Sequence, residues 1–112
     1  MQQIAIHTRI VPGREADYDR AHSKLVPELN AAMAQAGVVN WRIWRSGREL
    51  FHLIEVEDYQ RMRIELAENE HNLRWQEQIN QYLEVADSYS GQDQGLSRVW
   101  EFESDYGRTS NA

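Results

Sequence analysis

Apolar and polar residues alternate strictly at the start of the chain. Between Gln3 and Val11, the positions that share one side are Ile4, Ile6, Thr8 and Ile10. A period of two residues is typical of a β-strand with one buried face. Pro12 and Gly13 follow directly, and this pair predicts a turn that ends the strand.

The apolar period then changes to three and four residues, which predicts a helical stretch from Arg14 to Ala36. The residues that recur at this spacing are Tyr18, His22, Leu25, Leu29 and Met33. Since a proline cannot donate the helical backbone hydrogen bond, Pro27 should kink this stretch or divide it in two. Gly37 is well placed to end the last turn.

Period-two alternation returns from Val38 to Arg45 and again from Glu49 to Glu57, with a tight turn at 46–48 between them. These two strands form a predicted hairpin. One face of the later strand carries Leu50, His52, Ile54 and Val56, and the other carries Phe51 and Leu53. Since both faces are largely apolar, we expect this strand to be covered on both sides.

Two further helical pieces follow the hairpin. Asp58 can cap a helix that begins at Tyr59, and a second piece follows after a break near 68–70. The apolar residues of that second piece are Trp75, Ile79, Tyr82 and Leu83.

The polar segment from Asp87 to Gly95, with its glycine and serines, predicts a loop. Alternation then resumes, and we expect a final strand from Leu96 to Glu103 with Trp100 and Phe102 on one face. Residues 105–112 are expected to form a flexible tail behind a single domain of residues 1–104.

The predicted order β-α-β-β-α-β is that of the ferredoxin-like fold, an α+β architecture in which an antiparallel sheet carries its helices on one face. The doubly apolar third strand implies that the opposite face of the sheet is covered as well. For a chain of 112 residues, a second copy is the simplest cover. We therefore expect a homodimer joined sheet to sheet, which is a dimeric α+β barrel.

Composition excludes several classes of protein. The chain has no cysteine, so disulfides, thiolate metal sites and a cysteine nucleophile are impossible. A net charge of -6 argues against nucleic acid as a partner. No apolar run approaches the ~18 residues of a membrane span, so no membrane contact is expected. The first residues lack the pattern of a signal peptide and the lack of cysteine fits a reducing compartment, so a cytoplasmic location is expected.

Tyr18 and His22 form the first candidate site because they are four residues apart and share one side of the predicted helix. Histidine titrates near neutral pH and a phenol can donate or orient a hydrogen bond, so the pair could perform acid–base catalysis. By spacing alone, a histidine packed beneath its helix with a single hydrogen bond is the more common situation. His7, His52 and His71 lack partners at ligand-like spacing, which argues against a metal site.

Four tryptophans are many for a chain of this length, and Trp41 and Trp75 are the next candidates. An aromatic ring can cover the C–H side of a ring-shaped ligand while polar groups hold its hydroxyls. Packing in the core is the alternative, and for any single tryptophan it is the more common one. Trp44 has the opposite parity to Trp41 on the same strand, so one of the two should face away from the helices, towards the dimer surface.

Several motifs together resemble the L-rhamnose mutarotase family, over nearly the whole chain from Ile4 to Phe102. The matching residues are Gly13-Arg14-Glu15-Ala16-Asp17-Tyr18-Asp19-Arg20-Ala21-His22, Pro27-Glu28-Leu29, Gly37, Asn40-Trp41 and Arg74-Trp75. The most specific part is Tyr-x-x-x-His followed by Pro-Glu-Leu, with an Asn-aromatic pair opening the next strand. The resemblance implies a cofactor-free, homodimeric enzyme that interconverts the α and β anomers of a 6-deoxy sugar such as L-rhamnose.

The resemblance also implies roles for individual residues. His22 matches the family's proton donor, Tyr18 matches a residue that contacts the sugar, and Trp41 and Trp75 match aromatic residues of the sugar pocket. The sequence departs from the best-known branch of the family at two pocket positions, where Trp41 replaces a tyrosine and Gln76 replaces a second tryptophan. These departures keep the acid–base pair and make L-fucose a second candidate sugar.

Mutarotation needs only groups that donate and accept protons, since the anomeric hydroxyl loses a proton while the ring oxygen gains one. We expect His22 to protonate the ring oxygen and Tyr18, ionised or through a water molecule, to act on the anomeric hydroxyl; the two roles are exchangeable. Two other functions stay open, a dimeric α+β-barrel monooxygenase and a non-catalytic sugar-binding module. Anomer exchange at the solvent rate would identify a module that only binds.

Overall fold

The computed structural model describes residues 1–87 and 95–103, and within them the elements follow the predicted order up to the last helix. The elements are β1 Gln2–Arg9, α1 Glu15–His22, α2 Pro27–Gln35, β2 Val38–Ser46, β3 Glu49–Val56, α3 Tyr59–Ala67 and α4 Glu70–Asn80. Each predicted helical stretch is divided into two helices. The α+β, ferredoxin-like class is confirmed for this part of the chain.

The helix boundaries have local causes in the sequence. Pro27 begins α2 instead of kinking a longer helix, because its missing N–H costs nothing in the first helical turn. Asp58 caps α3 as predicted, since its carboxylate accepts a hydrogen bond from the backbone N–H of Arg61. Asn69 caps α4 in the same way, accepting from the N–H groups of His71 and Asn72.

The strands form an antiparallel sheet in the order β1-β3-β2, so β3 lies in the middle. Both hydrogen-bonding edges of β3 are therefore paired within the sheet. Leu50, Ile54 and Val56 of β3 are fully buried beneath the helices. Phe51 lies on the opposite face with 46% of its surface exposed, in register with Trp44 of β2.

The two tryptophans of β2 face opposite sides of the sheet, as their parity predicts. Trp41 packs against the core cluster beneath the helices. Trp44 lies on the open face and is 54% exposed. We call this open face, defined by Trp44, Phe51 and His7, the outer sheet face; His7 stacks on Phe51 with ring centroids 5.1 Å apart.

The predicted fourth strand from Leu96 to Glu103 is wrong. The backbone N–H of Leu96 donates to the oxygen of Ala5 in β1 over 2.7 Å, but no ladder follows among the described residues. Trp100 and Phe102 are 76% and 69% exposed. They therefore bury too little surface to hold this segment on the sheet. Alternation indicates an extended segment, whereas a strand also needs a continuous row of backbone partners.

Two other predictions lie outside the described residues. They are the interior of the loop between Asp87 and Gly95, and the tail at 105–112. Among the residues that are described, no helix is long and apolar enough to span a membrane.

Candidate functional site

A cavity of about 440 Å³ lies between the sheet and the helices. Thr8, Trp41 and His52 line it from three neighbouring strands. The lining from the helices includes Tyr18, His22, Trp75 and Gln76. The structure therefore brings together all five residues that the sequence predicts for the site.

Tyr18 and His22 lie one turn apart on α1, with ring centroids 4.4 Å from each other. Nδ1 of His22 lies 3.1 Å from the backbone oxygen of Tyr18. A carbonyl oxygen can only accept, so the proton of this hydrogen bond belongs to Nδ1. In the neutral ring the lone pair then lies on Nε2, which can accept a proton from a ligand in the cavity.

Burial favours the uncharged forms of both residues. It lowers the pKa of His22, against the opposing effects of the Tyr18 carbonyl and the charge of Asp19. It also raises the pKa of Tyr18, and the charge of Asp19 acts in the same direction. At neutral pH the site thus holds a neutral imidazole beside a protonated phenol, which argues against an ionised Tyr18.

Trp75 of α4 completes the surroundings of His22. Its ring meets the imidazole edge to face, with centroids 4.9 Å apart and planes at 90°. Such an aromatic contact fixes the orientation of the imidazole and shields it from water. Gln76 follows on the same helix and also reaches the cavity.

Three side chains form a hydrogen-bonded row across the sheet, which we call the sheet row: Trp41, His52 and Thr8. The indole Nε1–H of Trp41 donates to Nδ1 of His52 over 3.2 Å. Nε2 of His52 lies 3.1 Å from the hydroxyl oxygen of Thr8. Since Nδ1 accepts from Trp41, the proton of the neutral ring lies on Nε2 and is donated to Thr8. Burial, with a further contribution from the charge of His22, lowers the pKa of His52 to about 4.

His52 and Thr8 are site residues that the sequence analysis did not single out. Both stand among apolar residues on the inner face of their strands, at positions read correctly from the alternation. Polar side chains at buried positions need hydrogen-bond partners, so their presence on apolar strand faces is a signal that the sequence contains. The sequence does not show which residues pair across the strands, because this depends on the sheet register.

Arg63 of α3 and Asp87 also reach the cavity lining. The guanidinium, whose residue is only 2% exposed, donates to the carboxylate over 2.9 and 3.2 Å. Burial alone would lower the pKa of Arg63, but the hydrogen bonds and charge of Asp87 outweigh it and raise that pKa. Because the cation is already matched by a carboxylate, this wall suits an uncharged ligand.

Over residues 1–87 and 95–103, no three His, Asp or Glu side chains are grouped closely enough to hold a metal ion.

Comparison with known sequences gives a consistent result. The sequence profile of the L-rhamnose mutarotases matches residues 3–102. The L-rhamnose mutarotase of Cronobacter sakazakii is 28% identical over 105 residues, which cover 92% of this chain and all of that protein (100%). The one from Enterococcus faecalis is 26% identical over 103 residues, covering 90% of this chain and 99% of that protein.

Comparison with solved structures shows the fold. The crystal structure of an L-rhamnose mutarotase from Formosa agariphila superposes with a TM-score of 0.73 at 23% identity, covering 92% of this chain and 100% of that one. An antibiotic biosynthesis monooxygenase from Bordetella bronchiseptica superposes with a TM-score of 0.63 at 16% identity, covering 75% and 86%. At these identities, the structural likeness supports a shared architecture. It is not evidence for a shared activity.

Proposed function

Because the chain belongs to the L-rhamnose mutarotase family, we propose that it interconverts the α and β anomers of a 6-deoxy aldose, with L-rhamnose as substrate. Family membership makes it an isomerase, a mutarotase that acts on a sugar. The cavity volume of about 440 Å³ is in the range of small-ligand sites and accommodates one monosaccharide.

The observation that carries this proposal is the basic Nε2 of His22 inside an aromatic cavity. The hydrogen bond from Nδ1 to the Tyr18 carbonyl holds the imidazole in this tautomer. Trp75 packs edge-on against the same ring. A general base of this kind, held in one orientation, is what removal of an anomeric proton requires.

Ring opening begins when Nε2 of His22 takes the proton of the anomeric hydroxyl. The bond between C1 and the ring oxygen breaks, C1 becomes an aldehyde carbon, and the ring oxygen takes a proton from the imidazolium. Rotation about the C1–C2 bond then presents the other face of the aldehyde. Closure reverses these steps: His22 accepts the proton of the chain hydroxyl, the hydroxyl oxygen attacks C1, and the new anomeric oxygen takes the proton.

Tyr18 and the two tryptophans hold the sugar during these steps. The Tyr18 phenol keeps its proton because burial raises its pKa, so it donates a hydrogen bond to a sugar oxygen. The rings of Trp41 and Trp75 cover the C–H surfaces of the sugar. The reaction opens and closes one C–O bond within the sugar and shifts protons, with no oxidation, reduction or transfer of a group to another molecule. The side chains named here therefore suffice without a cofactor.

The neutralised pair of Arg63 and Asp87 supports an uncharged sugar over a uronic acid, since no unmatched cation on that wall would attract a carboxylate. Trp41 and Gln76 are the pocket positions at which the sequence departs from the best-known branch of the family. Because of these departures, L-fucose is the alternative 6-deoxy sugar. A non-catalytic sugar-binding module would use the same cavity. The monooxygenase reading is supported only by likeness of fold.

The test is anomer exchange measured by saturation-transfer NMR on L-rhamnose, L-fucose and D-glucose. We expect exchange well above the solvent rate for a 6-deoxy sugar, and L-rhamnose fastest. If a sugar binds but every exchange rate equals that of buffer, the chain is a binding module and the proposal is wrong.

The homodimer is also part of the proposal, and it is supported by the outer sheet face. Trp44 and Phe51 are paired in register on adjacent strands and are 54% and 46% exposed. Two large apolar side chains side by side on an uncovered sheet are typical of a protein–protein interface. The expected cytoplasmic location stays a prediction.

A further inference from the structure

We propose that Thr8 is a substrate-binding residue whose hydroxyl donates a hydrogen bond to a sugar oxygen, and that His52 and Trp41 position it. This inference rests on the proposed function, because it takes the ligand of the cavity to be a sugar. It assigns the sheet row a task separate from proton transfer at His22.

The sheet register makes the row possible. His52 of β3 lies opposite Ile6 of β1 and Ile43 of β2. Thr8 and Trp41 are each two residues away from those positions, so they are diagonal neighbours of His52 on the same face. Diagonal neighbours across strands are roughly 7–8 Å apart, within reach of a histidine and an indole. The row therefore crosses all three strands along the floor of the cavity.

The row has a direction. Trp41 can only donate, so its N–H fixes Nδ1 of His52 as the acceptor and Nε2 as the donor. Thr8 accepts that second hydrogen bond with a lone pair. The hydroxyl proton of Thr8 is then the last donor of the row, and Thr8 lines the cavity. A ligand oxygen at this point meets a hydrogen-bond donor, because the Thr8 oxygen already accepts from His52.

His52 acts as a positioning residue in this arrangement. Both of its ring nitrogens are engaged within the row. Its lowered pKa, about 4, keeps it uncharged over the pH range in which His22 works as a base. The row therefore keeps the same donor pattern while the His22 imidazole gains and loses protons.

The first test uses Thr8→Val, which keeps the shape of the side chain and removes the hydroxyl, with Thr8→Ser as the matched control. Titration calorimetry should show L-rhamnose binding to Thr8→Val roughly 3- to 10-fold more weakly, the value of one neutral hydrogen bond. Thr8→Ser should bind within about twofold of the wild type, since a hydroxyl remains at the same place.

Monodeoxy analogues of L-rhamnose identify the oxygen that is bound. The analogue lacking this oxygen should bind the wild type more weakly than L-rhamnose does, and should bind Thr8→Val and the wild type equally. If each analogue binds more weakly than L-rhamnose by the same factor in the wild type and in Thr8→Val, then Thr8 contacts no sugar oxygen. The inference is then overturned.

The second test addresses His52. His52→Leu should raise KM by the same factor as Thr8→Val, with kcat little changed, and the double variant should be no worse than either single one. His52→Gln, whose amide can both accept and donate, should restore part of the affinity. If the effects of Thr8→Val and His52→Leu on KM multiply in the double variant, the two residues act independently. That result would contradict the proposal that His52 acts through Thr8.

Nitrogen-15 NMR of the histidine rings reads the tautomer of His52 directly, whatever the activity of the protein. We expect protonation at Nε2 and a bare Nδ1, and protonation at Nδ1 would overturn the inference. A wild-type chain that neither binds nor exchanges any aldose would overturn the proposed function, and this inference with it. Normal exchange combined with unchanged binding in Thr8→Val would overturn this inference alone.

Discussion

Nδ1 of His22 lies 3.1 Å from the backbone oxygen of Tyr18, one helical turn earlier on α1. This contact consumes the N–H of the imidazole and leaves Nε2 as a base. From the sequence, His22 is expected to protonate the ring oxygen and Tyr18 to act on the anomeric hydroxyl, or the reverse. The tautomer and the lowered pKa of His22 favour a third assignment, in which the imidazole accepts the anomeric proton and then delivers it to the ring oxygen.

The pH profile of kcat/KM should follow the neutral form of His22. Burial lowers the pKa of His22 below the ordinary value of 6.5, so the base is fully available at pH 7 to 8. We expect kcat/KM to be flat there and to fall only at a more acidic pH than that ordinary value would give, as the imidazole becomes protonated. Anomer exchange measured at a series of pH values checks this. An activity that rises on acidification would show that the imidazolium is the form that starts the reaction.

Acidification should also destabilise the fold through His52, whose pKa is lowered from 6.5 to about 4 by burial and the charge of His22. Above pH 6.5 the ring is neutral in both the folded and unfolded states, so it contributes no pH dependence. Below that pH the unfolded chain binds a proton that the folded chain does not, and the free energy of unfolding falls until about pH 4. The total loss is on the order of 3 kcal/mol.

Urea denaturation of the wild type and of His52→Gln at pH 7, 5.5 and 4 measures this contribution. The variant has no ring to protonate, so its free energy of unfolding should fall less over the interval. If the free energy of unfolding falls by the same amount in both proteins between pH 7 and pH 4, then His52 has an ordinary pKa in the folded chain.

Asp87→Asn should destabilise the chain because it leaves the buried guanidinium of Arg63 without its carboxylate. We expect a loss of about 2 kcal/mol in the free energy of unfolding. Glu65→Gln is the control, since Glu65 pairs with Arg61 over 2.8 Å on the surface of α3. An exposed pair of this kind contributes less than about 1 kcal/mol. If the two variants lose the same free energy of unfolding, burial of Arg63 does not make its ion pair more important than an exposed one.

Trp44→Glu should separate the proposed homodimer, because it places a charge within the apolar part of the outer sheet face. Sedimentation velocity at micromolar concentration should show a dimer for the wild type and a monomer for the variant. Ile64→Glu is the control, since Ile64 is 62% exposed on α3 and away from that face. A monomeric wild type would refute the dimer.

Periodicity predicted the elements of this fold up to α4 because each is defined by local signals. Pro27 and Asp58 set helix starts, and the alternation of β3 placed His52 on the inner face. The same signal failed between Leu96 and Glu103, where the alternation is present but the described residues form no strand ladder. Strand pairing is a tertiary property, which a single segment does not encode.

The site was predictable only in part, for the same reason. Tyr18 and His22 are neighbours through helix geometry, so their spacing shows that they meet. The contact between His52 and Thr8 depends on the register of β1 against β3. The pairing of a helix arginine, Arg63, with a carboxylate 24 residues later follows no sequence period.

The most direct test of the account is the anomer exchange rate of L-rhamnose in the presence of His22→Ala. General acid–base catalysis contributes roughly 10²- to 10⁴-fold, so this variant should lose at least about 100-fold of the catalysed rate. His71→Ala, the same change on α4 outside the cavity lining, should exchange the sugar as fast as the wild type. Equal rates for His22→Ala and the wild type would contradict the account.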